Sequence, residues 1–284
     1  MTEAAELEPF FKLCHALEPW LSQIVIVGGW AHRLYRLHEL AQPLDYAPLM
    51  TLDTDVAVPK SLPVEQTNIA ERLREQGFSE SFLGDHHPPV TQYRLGSETE
   101  GFYAEFLTPL QGSGYKRDGT RDDTVRIAGV SSQKLRYLEI LLEDPWTVSL
   151  DSLNMAQSKI ATPVQIANPT SFIVQKLLIH DKRERDQLAK DVLYVHDTIE
   201  LFGAKLEHLN ALWQKSICLN LHRNHVSRAV DTIGILFSSV NDTVRDASQI
   251  ARSAGRSISP EDLQAVCRVG LEQVLFHSKK TDSE

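Results

Sequence analysis

Two short segments near the start of the chain restrict its fold more than any other part. Ile24-Val25-Ile26-Val27 is β-branched and suits a buried strand; it ends in Gly28-Gly29, a strand-to-helix turn, after which Ala31 to Leu40 reads as helix. Thr51 to Val58 alternates as a second strand until Pro59, and it carries Asp53 and Asp55 two residues apart. A period of two puts both carboxylates on one face of that strand. Leu52, Val56 and Val58 are apolar, so two acids sit in a strand that otherwise reads as buried, where unpaired carboxylates are costly. A bound cation removes that cost, whereas a solvated strand edge is the plain alternative.

The remaining pattern is mixed at first and helical later. Residues 4 to 20 read as an amphipathic helix, with Leu7, Phe10, Phe11, Cys14, Leu17 and Leu21 at spacings of three and four. Ile69 to Gln76 is a further helix, closed by Gly77. Thr91 to Leu95 and Gly101 to Leu107 read as paired strands around a polar turn, with Tyr103, Glu105 and Leu107 on one face and Phe102, Ala104 and Phe106 on the other. Gln111 to Asp123 reads as a mobile Gly-rich loop, followed by short strands at Thr124 to Ile127 and Ile160 to Gln165 around a helix near Lys134 to Leu142. From Pro169 helix signals dominate: through Phe202, then Leu206 to Leu221, Val226 to Ser239, Asn241 to Ala254 and Ser259 to His277. Ser259-Pro260-Glu261-Asp262 is a well-formed helix start. This order implies an α/β (α+β) domain with a mixed sheet over 1–166, followed by an all-helical domain over 167–284.

Charge and composition narrow the function classes. The formal net charge of −9 disfavours a general nucleic-acid binder, so any polyanion contact needs a local basic patch, and no DNA partner is expected. Cys14, Cys218 and Cys267 are widely spaced, which fits neither a disulfide framework nor a CxxC metal site. The acidic N-terminus lacks the basic region of a signal peptide, and no apolar stretch approaches the roughly 18 residues of a membrane span, so a soluble cytoplasmic protein without a membrane partner is expected.

Glycines after a buried strand let backbone N–H groups approach a phosphate, and the helix start that follows adds its positive dipole end. Glu105 adds a third carboxylate in another apolar strand. Three acids on neighbouring strands can hold two Mg²⁺ ions that activate an attacking oxygen and clamp phosphates. With Gly28-Gly29, Asp53-x-Asp55 and Glu105 in this order, the chain resembles the nucleotidyltransferases of the DNA polymerase β superfamily. The phrases Val27-Gly28-Gly29-Trp30-Ala31, Thr51-Leu52-Asp53-Thr54-Asp55, Glu105-Phe106-Leu107-Thr108-Pro109 and Pro169 through Asp191 bring it closest to the branch of abortive-infection and toxin–antitoxin nucleotidyltransferases.

That resemblance covers roughly residues 20 to 200. It implies transfer of a nucleoside monophosphate from a nucleoside triphosphate such as ATP to a hydroxyl of RNA, tRNA included, or of protein, with Mg²⁺ or Mn²⁺ as cofactor. It also implies a toxin or phage-defence role, with a cognate antitoxin as a partner. By the same resemblance Asp53, Asp55 and Glu105 bind metal, and Gly28, Gly29, Thr51, Lys176 and Arg183 bind nucleotide. Asp191 supports the lysine or the metal site, and the active site sits at the junction of the two domains. Lys176, Arg183 and Lys190 recur every seven residues, on one face if the helix is continuous.

The chain departs from the family pattern twice. Trp30 stands where Ser or Thr is usual, and a long segment with Pro43 and Pro48 separates Gly29 from Asp53. Gly-Gly-Trp-Ala also occurs in antibiotic nucleotidyltransferases, so modification of an aminoglycoside or lincosamide is the alternative within this chemistry. A non-catalytic nucleotide-binding or antitoxin-like protein is the alternative outside it. The His86-His87 pair reads as a loop feature, because adjacent histidines rarely converge on one metal ion. Lys116, Arg117 and Arg121 suit either phosphate contacts or a solvated loop, and His222, Arg223, His225 and Arg228 either a tRNA backbone or an exposed helix face.

Overall fold

The computed structural model describes residues 3–63, 67–84, 87–96, 101–153 and 160–276; His86, the turn residues after Gly96 and the chain beyond Phe276 lie outside them. It divides into two compact units, Met1–His38 with Met50–Asn168, and Glu39–Leu49 with Pro169–Glu284.

The first unit contains α1 (Glu3–Leu17), β1 (Val25–Val27), α2 (Gly28–Leu34), β2 (Asp53–Ala57), α3 (Ile69–Glu75), β3 (Ser79–Leu83), β4 (Val90–Leu95), β5 (Phe102–Pro109), β6 (Thr124–Ile127), β7 (Val130–Leu135), β8 (Trp146–Val148) and β9 (Val164–Ile166). Among the described residues the strands form one mixed sheet in the order β3-β4-β5-β2-β1-β9-β8, with β7 on the far half of β5 and β6 on β7. β1 runs antiparallel to β2 and parallel to β9, and β2 runs parallel to β5.

The pleat divides the apolar side chains between two layers. On one face Trp30, at the start of α2, stacks on Phe10 of α1 at 4.1 Å and 5° and meets Phe102 edge-on at 5.9 Å. Arg72 of α3 fixes the end of α1 by donating to the Ala16 and His15 carbonyls at 2.7 and 3.0 Å. Asn68 starts α3 with a reciprocal capping box to Glu71. On the other face Val25, Val27, Ala57 and Leu107 form a core with Leu138, Leu141 and Ala167.

Several local expectations change. Lys134 to Leu142 is not a helix: Val130–Leu135 pairs in parallel with β5, Tyr137 takes a positive φ of 62°, and only a 3-10 turn, Glu139–Leu142, follows. The ladder to β5 outweighs the local helical spacing. The expected strand from Ile160 starts only at Val164, because Pro163 has no N–H to give the ladder. Leu52 is exposed just ahead of β2, not buried in it. Within Gln111 to Asp123 the chain makes a hydrogen-bonded turn in which Lys116 N–H donates to the Thr120 carbonyl at 2.8 Å and Asp122 N–H to Gly114 at 2.9 Å, closed by the Tyr115–Arg121 bridge. Gly119, at φ 82°, and the Asp118 carboxylate accepting from Thr120 N–H make that turn possible.

The second unit contains α4 (Pro169–Ile179), α5 (Arg185–Leu201), α6 (Leu206–Leu212), a π-helical stretch (Trp213–Ile217), α7 (Cys218–Asn220), α8 (Arg223–Phe237), α9 (Asp242–Ser253) and α10 (Pro260–Leu275). α5 packs against α9 and α10, and α4 against α8. Ser259 caps α10 by accepting from Asp262 N–H. Glu39–Leu49, within the long segment between Gly29 and Asp53, belongs to this unit. Gln42 binds the end of α5 through the Leu201 and Glu200 carbonyls at 2.9 and 2.6 Å, and the Tyr46 ring lies 3.7 Å from the Arg256 guanidinium. Arg256 in turn pairs with buried Asp197, which also meets His196 at 3.0 Å. Among the described residues no helix is long and apolar enough to cross a membrane.

Candidate active site

The carboxylates are placed by strand register. Asp53 pairs with Tyr103 and Asp55 with Glu105 across the parallel β2–β5 ladder, while Gln92 and Arg94 of β4 pair with Glu105 and Tyr103 from the other side. Cross-strand partners share a face, so one end of the sheet presents Asp53, Asp55, Tyr103, Glu105, Gln92 and Arg94 together. Farther along the same strands this face becomes the apolar core around Ala57 and Leu107. The three acids are half-buried.

Each acid has a distinct setting. The Thr51 hydroxyl donates to Asp53, so Thr51, expected at the nucleotide, is engaged with the carboxylate. Asp55 lies against Gly28, whose φ is 64°; a Cβ there would overlap the Asp55 carboxylate and come within 3.2 Å of its Cγ. Gly28 therefore does two things: it takes the left-handed turn that starts α2 and lets Asp55 approach that turn. Val27, at the N-cap of α2, supplies no side-chain acceptor to the first N–H groups. Glu105 accepts from the Gln92 amide at 2.5 Å, Gln92 accepts from Arg94, and the Arg94 guanidinium lies 5.0 Å from the Tyr103 ring.

Tyr103 reports the shared field of this face. Burial first, then the charges of Asp53, Glu105 and Asp55, push its phenol up to about 12, with Arg94 opposing. Tyr103, Gln92 and Arg94 were not singled out as site residues from the sequence. The alternation of Thr91 to Leu95 as an antiparallel partner of β5 was the signal that could have found the last two.

Trp30, where the family offers a hydroxyl, is buried in the opposite layer against Phe10 and Phe102. It thus serves as core and leaves the turn itself to backbone groups.

In the second unit Lys176 and Arg183 converge on buried Asp191, Nζ to Oδ1 at 2.7 Å and Nε to Oδ2 at 2.8 Å. The Lys176 ammonium also lies over the Phe172 and Tyr194 rings at 5.3 and 5.7 Å. The expected seven-residue stripe needs a continuous helix, and the helix is broken. His180 turns its Nδ1 to the Leu177 carbonyl at 2.8 Å, a 3-10 turn covers His180–Lys182, and Arg183 is extended before α5 begins. Lys190 instead lies beside the Tyr194 ring. The basic cluster at the start of α8 is used locally as well: the His222 ring accepts from Asn224 N–H and Arg228 pairs with Asp181 at 2.5 Å. Cys14 and Cys267 are fully buried, with thiols pushed well up by desolvation, which suits core residues and not nucleophiles.

Among the described residues no three His, Cys, Asp or Glu side chains stand close enough together to form a ready metal cage. Mg²⁺ is ordinarily held by one or two carboxylates plus substrate phosphates, and the hard oxygen donors of Asp53 and Asp55, on one face beside an uncapped helix start, fit that mode. Glu105 is tied to Gln92 in this conformation and joins such a set only by exchanging that hydrogen bond.

Comparison with known proteins gives the following similarities. The crystal structure of an antigenic nucleotidyltransferase-like protein from Paracoccidioides brasiliensis has 14% identity over 88% of this chain and 94% of that one, with a TM-score of 0.36. The nucleotidyltransferase toxin MenT4 of Mycobacterium tuberculosis H37Rv has 13% identity over 93% of this chain and 92% of that one, with a TM-score of 0.34. Curated protein sequences contain no match to the chain. The sequence model of a family described as nucleotidyltransferase matches residues 11–217, a span that takes in Gly28, Asp53, Asp55, Glu105, Lys176 and Asp191. The chain belongs to that nucleotidyltransferase family.

Proposed function

We propose that the protein transfers a nucleoside monophosphate from a nucleoside triphosphate to an acceptor hydroxyl and releases pyrophosphate. The observation that carries this reading is the β2–β5 register, which sets Asp55 directly beside Glu105 and Asp53 beside Tyr103, on the face where the Gly28 turn meets Asp55.

A Mg²⁺ or Mn²⁺ ion held by Asp53 and Asp55 would supply charge neutralisation on the phosphates and acidify the acceptor hydroxyl. The N–H groups at the start of α2, directed by Gly28, bind phosphate oxygen. Asp55 stays in place because Gly28 leaves room for it and the ladders on both sides of β2 fix its backbone. Glu105, oriented by Gln92, takes the acceptor proton as its oxygen bonds to the α-phosphorus and the bond to the pyrophosphate oxygen breaks. In the second unit Asp191 holds both Lys176 and Arg183 in orientation.

For acceptor we propose an RNA hydroxyl, tRNA included, ahead of a protein hydroxyl, with a toxin role and an antitoxin partner following from the same resemblance and a cytoplasmic setting from the composition and N-terminus. The Glu105–Gln92 hydrogen bond favours one second reading, a protein that binds nucleotide without transferring it.

The test is incubation with each of four triphosphates labelled at the α-phosphate, with Mg²⁺ and pooled cellular RNA or protein, and with a chelator in parallel. Label in an acceptor, matched by pyrophosphate and abolished by the chelator, supports the transferase. Nucleotide retained by the protein with neither product supports the binding-only reading.

A further inference from the structure

Residues 111 to 136 carry six Lys and Arg against three Asp, in a chain whose net charge is −9. They surround a hollow of about 180 Å³ lined by Lys60, Thr108, Gln111, Asp122 and Lys134, with Val125 and Ile127 at its base. Thr108 pairs with Lys134 in the β5–β7 ladder. By strand alternation these two lie on the sheet face opposite Asp53, Asp55 and Glu105, so the hollow is separate from the carboxylate site.

The charge in the hollow is unbalanced. Lys134 donates to Asp122 at 2.6 Å with its side chain only 17% exposed. Lys134 first, then Lys116 and Lys60, hold the Asp122 carboxylate below its ordinary range, and Lys116 acts on Asp118 as well. Like charges gathered in a concavity repel one another, and a bound anion relieves that repulsion. Gln111 adds a neutral amide at the wall, and Arg117 and Arg121, the latter 4.0 Å from Asp123, lie on the exposed turn beyond. The hollow is far smaller than a site enclosing a whole nucleotide, for which roughly 300 Å³ or more is usual. Its size suits a phosphodiester group, and the run of cations beyond it suits the phosphates that follow along a strand.

We infer that Lys60, Lys116 and Lys134, with Arg117 and Arg121, form a docking surface for the phosphate backbone of an RNA, on the sheet face away from the carboxylates. This rests on the proposed function in one respect: it gives the RNA acceptor of that reaction a place to bind. Phosphate contacts of this kind set position and carry no sequence information, so the surface binds RNA with little sequence preference.

The test is fluorescence anisotropy of a labelled single-stranded RNA oligonucleotide against the full chain over a salt series. The slope of log affinity against log salt should fall by about 0.7 for each lost phosphate contact. Lys60→Ala and Lys116→Ala, both at exposed positions, should each show that loss. Lys60→Glu/Lys116→Glu should weaken binding by about tenfold or more at low salt, with an unchanged circular dichroism spectrum. Asp55→Ala should bind the oligonucleotide as the wild type does. Unchanged slope and affinity in the lysine variants would overturn the surface even if nucleotidyl transfer is found. Displacement of the RNA by free triphosphate at equal phosphate concentration would overturn it as well, because the hollow would then hold nucleotide. Lysine-dependent RNA binding with no transfer to any acceptor would leave the surface standing and remove the proposed reaction.

Discussion

Gly28→Ala is the substitution whose consequence follows most directly from the geometry. At φ 64° an alanine pays the left-handed penalty of about 1–2 kcal/mol. Its Cβ also falls on the Asp55 carboxylate, within 3.2 Å of Cγ and 3.4 Å of Cβ. The backbone of Asp55 is held by Val27 on one side and Glu105 on the other, so relief comes mainly from rotation of the Asp55 side chain. Clearing the overlap displaces the carboxylate by about 1 Å, a misplacement that can lower a rate by about 100-fold. We therefore expect a stability loss of about 1–3 kcal/mol together with a transfer loss of about 100-fold, larger than the stability change alone explains. Urea denaturation and α-label transfer on the same preparation measure the two. Gly234→Ala, in α8 with no atom within 4 Å of the added Cβ, is the control and should gain about 0.5–1 kcal/mol. Wild-type stability and transfer within about twofold in Gly28→Ala would refute both the contact and the place of Asp55 in the reaction.

Other perturbations separate roles within each unit. Asp191→Ala strands Lys176 and Arg183 and should cost about 3–5 kcal/mol, whereas Lys176→Met leaves Asp191 paired with Arg183 and should cost less; chemical denaturation that ranks them the other way contradicts the network. The Tyr103 phenol, raised to about 12 against an unfolded value of about 10, contributes stability that is whole below pH ~10 and is lost as pH rises through about 12. Asp53→Asn removes one of the charges that raise it, so phenolate absorbance should appear at lower pH; an unmoved titration would mean that Asp53 does not face the ring. Trp30→Ser restores the hydroxyl usual in the family but opens a cavity beside Phe10 and Phe102, so thermal melting should show a loss of about 3–5 kcal/mol, and a stable, fully active variant would contradict the core role of Trp30.

The sheet was legible where period-two alternation and punctuation agreed. Val25 to Val27 could be placed from a β-branched run ending in glycines, and Asp53 to Ala57 and Phe102 to Leu107 from alternation bounded by glycine or proline, and with them the sides on which Glu105 and Phe106 lie. Register was not legible: that Asp55 stands beside Glu105, or that Gln92 reaches Glu105, depends on pairing between strands distant in sequence. The helix expected near Lys134 to Leu142 overlaps the end of the strand Val130–Leu135, whose ladder to β5 is tertiary and leaves no local mark. The stacking of Tyr46, in the proline-containing segment after α2, on Arg256 joins residues far apart in the chain and had no signature in either segment. Seven-residue spacing placed Lys176 and Arg183 together for the wrong reason: the helix between them breaks at His180, and Asp191 brings them together. Trp30, which stands where the family has Ser or Thr, points into the core because this α2 residue, three positions past the strand, faces the layer that holds α1.

The account turns on the carboxylate face, and single-turnover transfer of an α-phosphate label by Asp55→Asn tests it most directly. This substitution keeps the shape beside Gly28 and removes the charge. The expected result is transfer by the wild-type chain in Mg²⁺ and a loss of about 100- to 1,000-fold in Asp55→Asn, with an unchanged denaturation midpoint. Transfer by Asp55→Asn at the wild-type rate would contradict the assignment of the reaction to this face.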